Sequence, residues 1–146
     1  MANTPISRRA FLKGPLLAAA GLAVVPRHVL GAEAQPPPSD TLLQAVVGTG
    51  GMGMGHVGMV VGDRTSKLVA VCDLDARHLA NALKRAGDGC TGYSDFRGVL
   101  DRGDVDVVHV PTPPHWHALV SIAAAQAGCD VYCEKPMTRT IGEAAT

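Results

Sequence analysis

Leu42-Leu43-Gln44-Ala45-Val46-Val47 runs directly into Gly48-Thr49-Gly50-Gly51-Met52-Gly53, and the fold is decided by how these twelve residues are read. The first half is an apolar, partly β-branched run. The second half is G-x-G-x-x-G. Glycine supplies 17 of the 146 residues, so the hexapeptide alone carries little weight. Its surroundings give it weight. A strand-like run precedes it, a second one (68–72) follows, and Asp73 lies 20 residues beyond Gly53. That is the spacing of a dinucleotide-binding βαβ unit.

The residue types fit the chemistry. Gly48 allows the sharp turn out of the strand. Gly50 has no side chain, so backbone can approach a pyrophosphate. Gly53 lets the following helix pack close to the sheet. Thr49, Gly51 and Met52 complete the loop, and the free N–H groups at the helix start face the phosphates with the positive end of the dipole behind them. Asp73 can accept both hydroxyls of an adenine ribose, whereas a 2′-phosphate there would meet a negative charge. NAD is therefore favoured over NADP, with Arg64 and Arg77 the cations that could reach a 2′-phosphate. The competing reading is a ligand-free glycine turn. Asp73 at the expected offset speaks against it.

The rest of the composition narrows the class. The length is that of one domain. Formal net charge is zero. The first 34 residues hold four basic groups (Arg8, Arg9, Lys13, Arg27) and one acid (Glu33), which leaves 9 basic against 12 acidic groups in the remainder. Basic patches interleaved with aromatics are lacking, so nucleic acid is not an expected partner. Aromatics are only 3%. The core must be Val, Leu, Ile and Ala, as in a sheet buried on both faces.

Residues 1–34 read as an address. Ser7-Arg8-Arg9-Ala10-Phe11-Leu12-Lys13 resembles a twin-arginine export signal, and an uncharged run (14–25) and Ala32-Glu33-Ala34 follow it. The uncharged run has 12 residues, and a membrane span needs about 20, so no stable span is expected. Export machinery is then a partner and the periplasm the destination. An amphipathic or frayed N-terminus is the plainer reading of this segment. Residues 35–40 (Gln-Pro-Pro-Pro-Ser-Asp) form a stiff linker, and the globular part begins at about Thr41.

Beyond the glycine loop, the pattern predicts a helix over about 54–61 and a second strand ending at Asp73. Asp75 is placed to cap a helix with Leu79, Ala82, Leu83 and Ala86 on one stripe, stopped by Gly87. A short third strand falls at 91–93, and Ser94 is the expected cap of a short helix with Phe96, Val99 and Leu100 inward. A fourth strand spans 105–110, a helix about 115–127, and a fifth strand 131–133. Thr140-Ile141-Gly142-Glu143 is a capping box. This alternation predicts an α/β fold, a doubly wound parallel sheet of five strands in the order 3-2-1-4-5. Ligands in such sheets sit at the carboxyl ends of the strands, where Gly48 to Gly53, Asp73, Thr112 to Pro114 and Glu134 to Pro136 all fall.

Thr112-Pro113-Pro114-His115-Trp116-His117 and Cys133-Glu134-Lys135-Pro136, together with the glycine loop, resemble the Gfo/Idh/MocA family of glucose–fructose oxidoreductases and inositol dehydrogenases, in its exported branch. The resemblance covers about residues 41–146. It implies a Rossmann nucleotide domain in which Gly48, Gly50 and Gly53 hold the pyrophosphate and Asp73 the adenosine ribose. It places Thr112, Pro113 and His117 near the nicotinamide half, and Glu134 and Lys135 toward the nicotinamide ribose and the substrate. Lys135 and His117 are then the candidate catalytic residues, and the Lys135–Pro136 bond is often cis in relatives. Read from its own chemistry, a lysine beside a cationic ring favours its neutral form and can take a proton from a substrate hydroxyl as hydride leaves the carbon. A plain surface lysine is the competing reading.

The chain departs from the family pattern at Pro114, where Asn or Asp is commoner, and at Met52 and Met54, where Arg is frequent. The family also continues into a C-terminal domain that forms the substrate pocket and often the oligomer interface. The expectation is therefore a truncated chain, incomplete at its C-terminus, that binds nucleotide and turns nothing over alone. A homo-oligomer is expected only with the missing domain. Three functional readings stand: part of an NAD(P)-dependent oxidoreductase acting on a sugar or polyol, a non-catalytic binding module, or half of a complex completed by a separate domain. His115, His117, Cys129 and Cys133 do not have zinc spacing, so no metal is expected. Cys72 and Cys133 read as small apolar strand residues, and His109 as a satisfied core or edge histidine.

Overall fold

The structure is a computed structural model and describes residues 40–145. The expected export signal and most of the linker lie outside the described residues.

Five parallel strands lie in the order β3-β2-β1-β4-β5, as expected. β1 (Leu42–Val47) is central, with β2 (Ser66–Cys72) on one side and β4 (Val107–Val110) on the other. β3 (Thr91–Tyr93) and β5 (Asp130–Cys133) flank them. Helices α1 (Gly51–Gly62), α2 (Ala76–Ala86), α3 (Phe96–Leu100) and α4 (Pro114–Gln126) make the crossovers, and α5 (Ile141–Ala144) follows β5. Val, Ala and Leu cover both faces of the central strands. Val46, Leu68 and Val71 pack with Val57, Val60 and Ala82 under α1 and α2. Ala45, Val47, Val69, Val108 and Val110 pack with Phe96, Val99, Val120 and Ala124 under α3 and α4. Period-two alternation on β1 sends Val46 to one face and Ala45 and Val47 to the other. A register shift between Gln44 and Ala45 lets β2 run one residue longer.

Element boundaries moved where local chemistry competed. α1 starts at Gly51, not near residue 54, because the glycine loop is itself its first turn: Met54 N donates to Gly50 O at 2.8 Å. α3 is capped by Asp95, which accepts from Arg97 N at 3.0 Å, and not by Ser94. Either side chain can cap, and the longer carboxylate one residue on reaches the free amide. α4 begins at Pro114, where a missing N–H costs nothing at a helix start. β4 begins at Val107, two residues late, although Val105 is still buried in the core. Asp75 caps α2 as expected, and the Thr140–Glu143 capping box is present.

Candidate functional site

The site is built at the carboxyl rim. β1 leaves the sheet at Gly48, whose φ of +94° suits glycine alone, and a Cβ there would come 2.8 Å from Thr112 Cγ2. A Cβ on Gly53 would land on the Gly48 carbonyl oxygen, so the third loop glycine is required by backbone packing. Gly50 differs. The nearest atom to its would-be Cβ is the His78 ring at 3.8 Å, and the space above it is open. Gly50 is also the N-cap of α1, with no side chain capping the helix and no acid in the first turn. The exposed amides of that turn face a cleft of about 620 Å³ lined by Gly48, Gly50, Gly51, Met52, Asp73 and Thr112 among others. An extended anion fits this cradle.

Asp73 lies at the end of β2 with its side chain 13% exposed. Its Oδ2 accepts from Thr49 N at 2.7 Å and Thr49 Oγ1 at 3.1 Å, and its Oδ1 accepts from Asp75 N at 2.8 Å. His78 Nδ1 stands 3.6 Å from Oδ2. The acid is thus fixed on the cleft wall by the loop it complements. Thr49, expected among the cofactor-binding residues of the loop, is 0% exposed, and its hydroxyl and amide hold Asp73. Met52 is 57% exposed at the cleft. Arg77 is paired with Asp75 at 2.9 Å, its charge tied to its own helix cap. Arg64 precedes β2 and so belongs to the opposite rim from Asp73, out of reach of a 2′-phosphate. The competition from NADP that these arginines offered in sequence is removed for Arg64 and weakened for Arg77.

On the β4 side, Thr112 and Pro113 line the cleft, and the Thr112 hydroxyl is buried without a hydrogen-bond partner among the described residues. His117 is 1% exposed. Its Nδ1 lies 2.6 Å from the Pro136 carbonyl and its Nε2 2.7 Å from the Thr112 carbonyl. Both ring nitrogens of this candidate catalytic residue face main-chain carbonyls. His117 is a strut joining the loop after β4 to the loop after β5.

Glu134 and Lys135 follow β5 on the same rim as the glycine loop, and the Lys135–Pro136 peptide is cis. Glu134 Oε2 accepts from Lys135 N at 3.2 Å, and Glu134 Oε1 lies 3.1 Å from His56 Nε2 on α1. The His56 contact, then the Lys135 amide, holds the Glu134 carboxyl below the ordinary range. Lys135 is exposed. Sequence reasoning missed His56, which lies two residues before a glycine in a weak helix pattern and shows its role only when α1 packs beside β4. It did read His109 as a satisfied core or edge histidine, and the residue is 4% exposed and bonded to Gln44.

The thiols are not part of this chemistry. Cys72, Cys90, Cys129 and Cys133 are free, and burial, then Asp73 and Asp95, pushes the Cys72 thiol up to about 12. Among the described residues no three metal-ligating side chains cluster, and no helix is long and apolar enough to cross a membrane.

A glycine turn opening onto an uncapped helix, with an acid at the end of the next strand, defines a dinucleotide-binding Rossmann domain. The chain belongs to the Gfo/Idh/MocA oxidoreductase family, described as having an NAD-binding Rossmann fold, which it matches over residues 42–146. It is 35% identical over 104 residues to inositol 2-dehydrogenase 1 of Saccharopolyspora erythraea, covering 70% of this chain and 31% of that protein. It is 28% identical over 160 residues to a glycosyl hydrolase family 109 protein of Shewanella pealeana, covering 94% of this chain and 35% of that one. Its fold is similar to the solved myo-inositol dehydrogenase of Lactobacillus casei in complex with NAD(H) and myo-inositol, with a TM-score of 0.68 and 25% identity over 72% of this chain and 31% of that chain. The chain spans about a third of the length of these relatives.

Proposed function

We propose that this NAD-binding domain supplies the cofactor site and the proton-accepting lysine of a dehydrogenase that oxidises a hydroxyl of a polyol or sugar. The observation that carries this reading is the sharing of one rim by the glycine cradle and the Glu134–Lys135 pair. NAD, when bound, accepts the hydride. Gly48, Gly50, Gly51 and Gly53 bring main chain against the phosphates, and Asp73 accepts from the adenosine ribose. Glu134 takes the nicotinamide ribose. Lys135 Nζ accepts the hydroxyl proton of the substrate. His117 acts through others, holding the Thr112 and Pro136 backbones in register. The inositol dehydrogenases among the relatives favour a cyclic polyol as the substrate class.

Lys135→Met tests this. With the family's substrate domain supplied, NAD reduction with myo-inositol or an aldose should fall by about 10²- to 10⁴-fold, the usual share of a general base. NADH affinity, read by fluorescence titration, should change less than about threefold, because the phosphates and adenosine bind elsewhere. Undiminished turnover would remove Lys135 from the chemistry.

We further propose that residues 1–34 direct export to the periplasm by the twin-arginine route, on the strength of Ser7 to Lys13. A reporter fused behind residues 1–40 should be exported, and Arg8→Lys with Arg9→Lys should retain it inside. Export that persists in the double variant sinks the proposal.

A further inference from the structure

A line of polar side chains reaches from the far edge of the sheet to Glu134, and all but Glu134 have no part in the scheme above. On the α1 face of the sheet, six side chains form a continuous line. Ser66 Oγ donates to Asp63 Oδ2 at 2.7 Å, and Gln44 Nε2 donates to Ser66 Oγ at 2.7 Å. Gln44 Oε1 lies 2.6 Å from His109 Nε2. His109 Nδ1 is 3.1 Å from His56 Nδ1, and His56 Nε2 is 3.1 Å from Glu134 Oε1. Gln44, His56 and His109 are 8%, 6% and 4% exposed. The line crosses the molecule from the turn before β2, at the amino edge of the sheet, to the carboxyl rim.

Its polarity follows from the far end. Hydrogen bonds from the Thr65 backbone, the Ser66 hydroxyl and the Thr65 hydroxyl hold the Asp63 carboxyl below its ordinary range, so it only accepts. Ser66 gives its one hydrogen to Asp63 and offers a lone pair to the Gln44 amide nitrogen. The Gln44 carbonyl is then turned to His109, whose Nε2 must carry a hydrogen. Burial, then His56, pushes His109 down to about 4, so at neutral pH its Nδ1 is bare. His56 Nδ1 must therefore donate. The remaining nitrogen, Nε2, faces a carboxylate, and a bare Nε2 there would set lone pair against lone pair.

We propose that His56 is a positioning residue that carries a hydrogen on both ring nitrogens and pins Glu134 beside Lys135, with Asp63 at the opposite edge setting this arrangement through Ser66, Gln44 and His109. The titratable groups facing His56 from neighbouring elements are His109 on β4, Tyr132 on β5 with its ring 5.4 Å away, and Glu134, with Lys135 next to it. Held at one oxygen by His56 and at the other by the Lys135 amide, the Glu134 carboxylate cannot swing away from the rim. The bearing of this on catalysis rests on the proposed function. The hydrogen count does not.

Long-range proton–nitrogen NMR correlation of the imidazoles at pH 7, on the labelled chain, tests it without cofactor. The expected pattern is a hydrogen on Nε2 alone for His109 and on both nitrogens for His56. A hydrogen on His109 Nδ1, or a bare His56 Nε2, overturns the proposal. In Glu134→Gln the new amide donates to His56 Nε2, and the His56 signals should change to those of a neutral ring with a hydrogen on Nδ1. Signals unchanged from the wild type also overturn it. Ser66→Ala should release the Gln44 amide to turn over and split His109 between two tautomers, and a single unchanged tautomer removes Asp63 from control. His56→Asn should weaken NADH binding about tenfold, the scale of one lost hydrogen bond to a charged group. A wild-type chain that shows the expected tautomers but binds no NADH refutes the cofactor site and leaves the hydrogen-bonded line standing.

Discussion

Gly53 and Gly50 belong to one motif but are needed for different reasons. A methyl group on Gly53 meets protein backbone, whereas one on Gly50 projects into the space a ligand would fill. Gly53→Ala should therefore lower stability by about 1–3 kcal/mol, as overpacking does, and lower NADH affinity with it. Gly50→Ala should weaken NADH binding and leave the urea midpoint almost unmoved. His109 gives a prediction of a different kind. Its folded-state pKa of about 4 lies below the ordinary 6.5 for histidine, chiefly through burial. The unfolded chain takes up a proton near pH 6.5 that the folded chain refuses until about pH 4, so stability falls as pH falls through that window. The loss from this group between pH 7 and pH 5 should be about 2 kcal/mol. Urea unfolding at the two pH values measures it, and His109→Gln should flatten the difference.

The helices depend unequally on their caps. α1 has no side-chain cap, and its open amides are the part of it that serves a ligand. α2 is closed by Asp75, which accepts from Arg77 N at 2.8 Å and holds the Arg77 guanidinium as well. Asp75→Ala should cost about 1 kcal/mol, read as a lower melting temperature, because it strips the cap from a helix that buries only Ala82 fully. It should also free Arg77. NADPH binding should then rise relative to NADH, and an unchanged ratio would show that Arg77 does not reach the 2′ position. Both caps of α2 and the box at Thr140 were legible in sequence, since a cap needs only neighbours two or three residues away. The Ser94/Asp95 choice was not, because two adjacent residues were both competent.

Across residues 40–145 as a body, two apolar layers clamp one sheet, and the cleft opens where that sheet's strands end. A ligand that bridges the glycine loop, Asp73 and Thr112 ties β1, β2 and β4 together. NADH at about 100 times its Kd should stabilise the fold by about 2.7 kcal/mol, visible as a concentration-dependent rise in melting temperature. No shift at saturating NADH would refute binding to the folded state.

The order of the strands, the glycine loop, Asp73 and the rim position of Glu134 and Lys135 were determined by the sequence itself. Each rests on short-range information: a two-residue alternation, a turn that only glycine makes, or an offset along one crossover. Tertiary structure alone decided that Thr49 serves Asp73, that His117 is sealed beneath the rim, and that Arg64 lies on the wrong edge. It alone joined Gln44, His56, His109 and Glu134, which stand up to 90 positions apart in the chain. Hydrogen bonds between side chains have no sequence period. They are fixed by how α1 settles against β1 and β4, and that contact exists only once the sheet has closed.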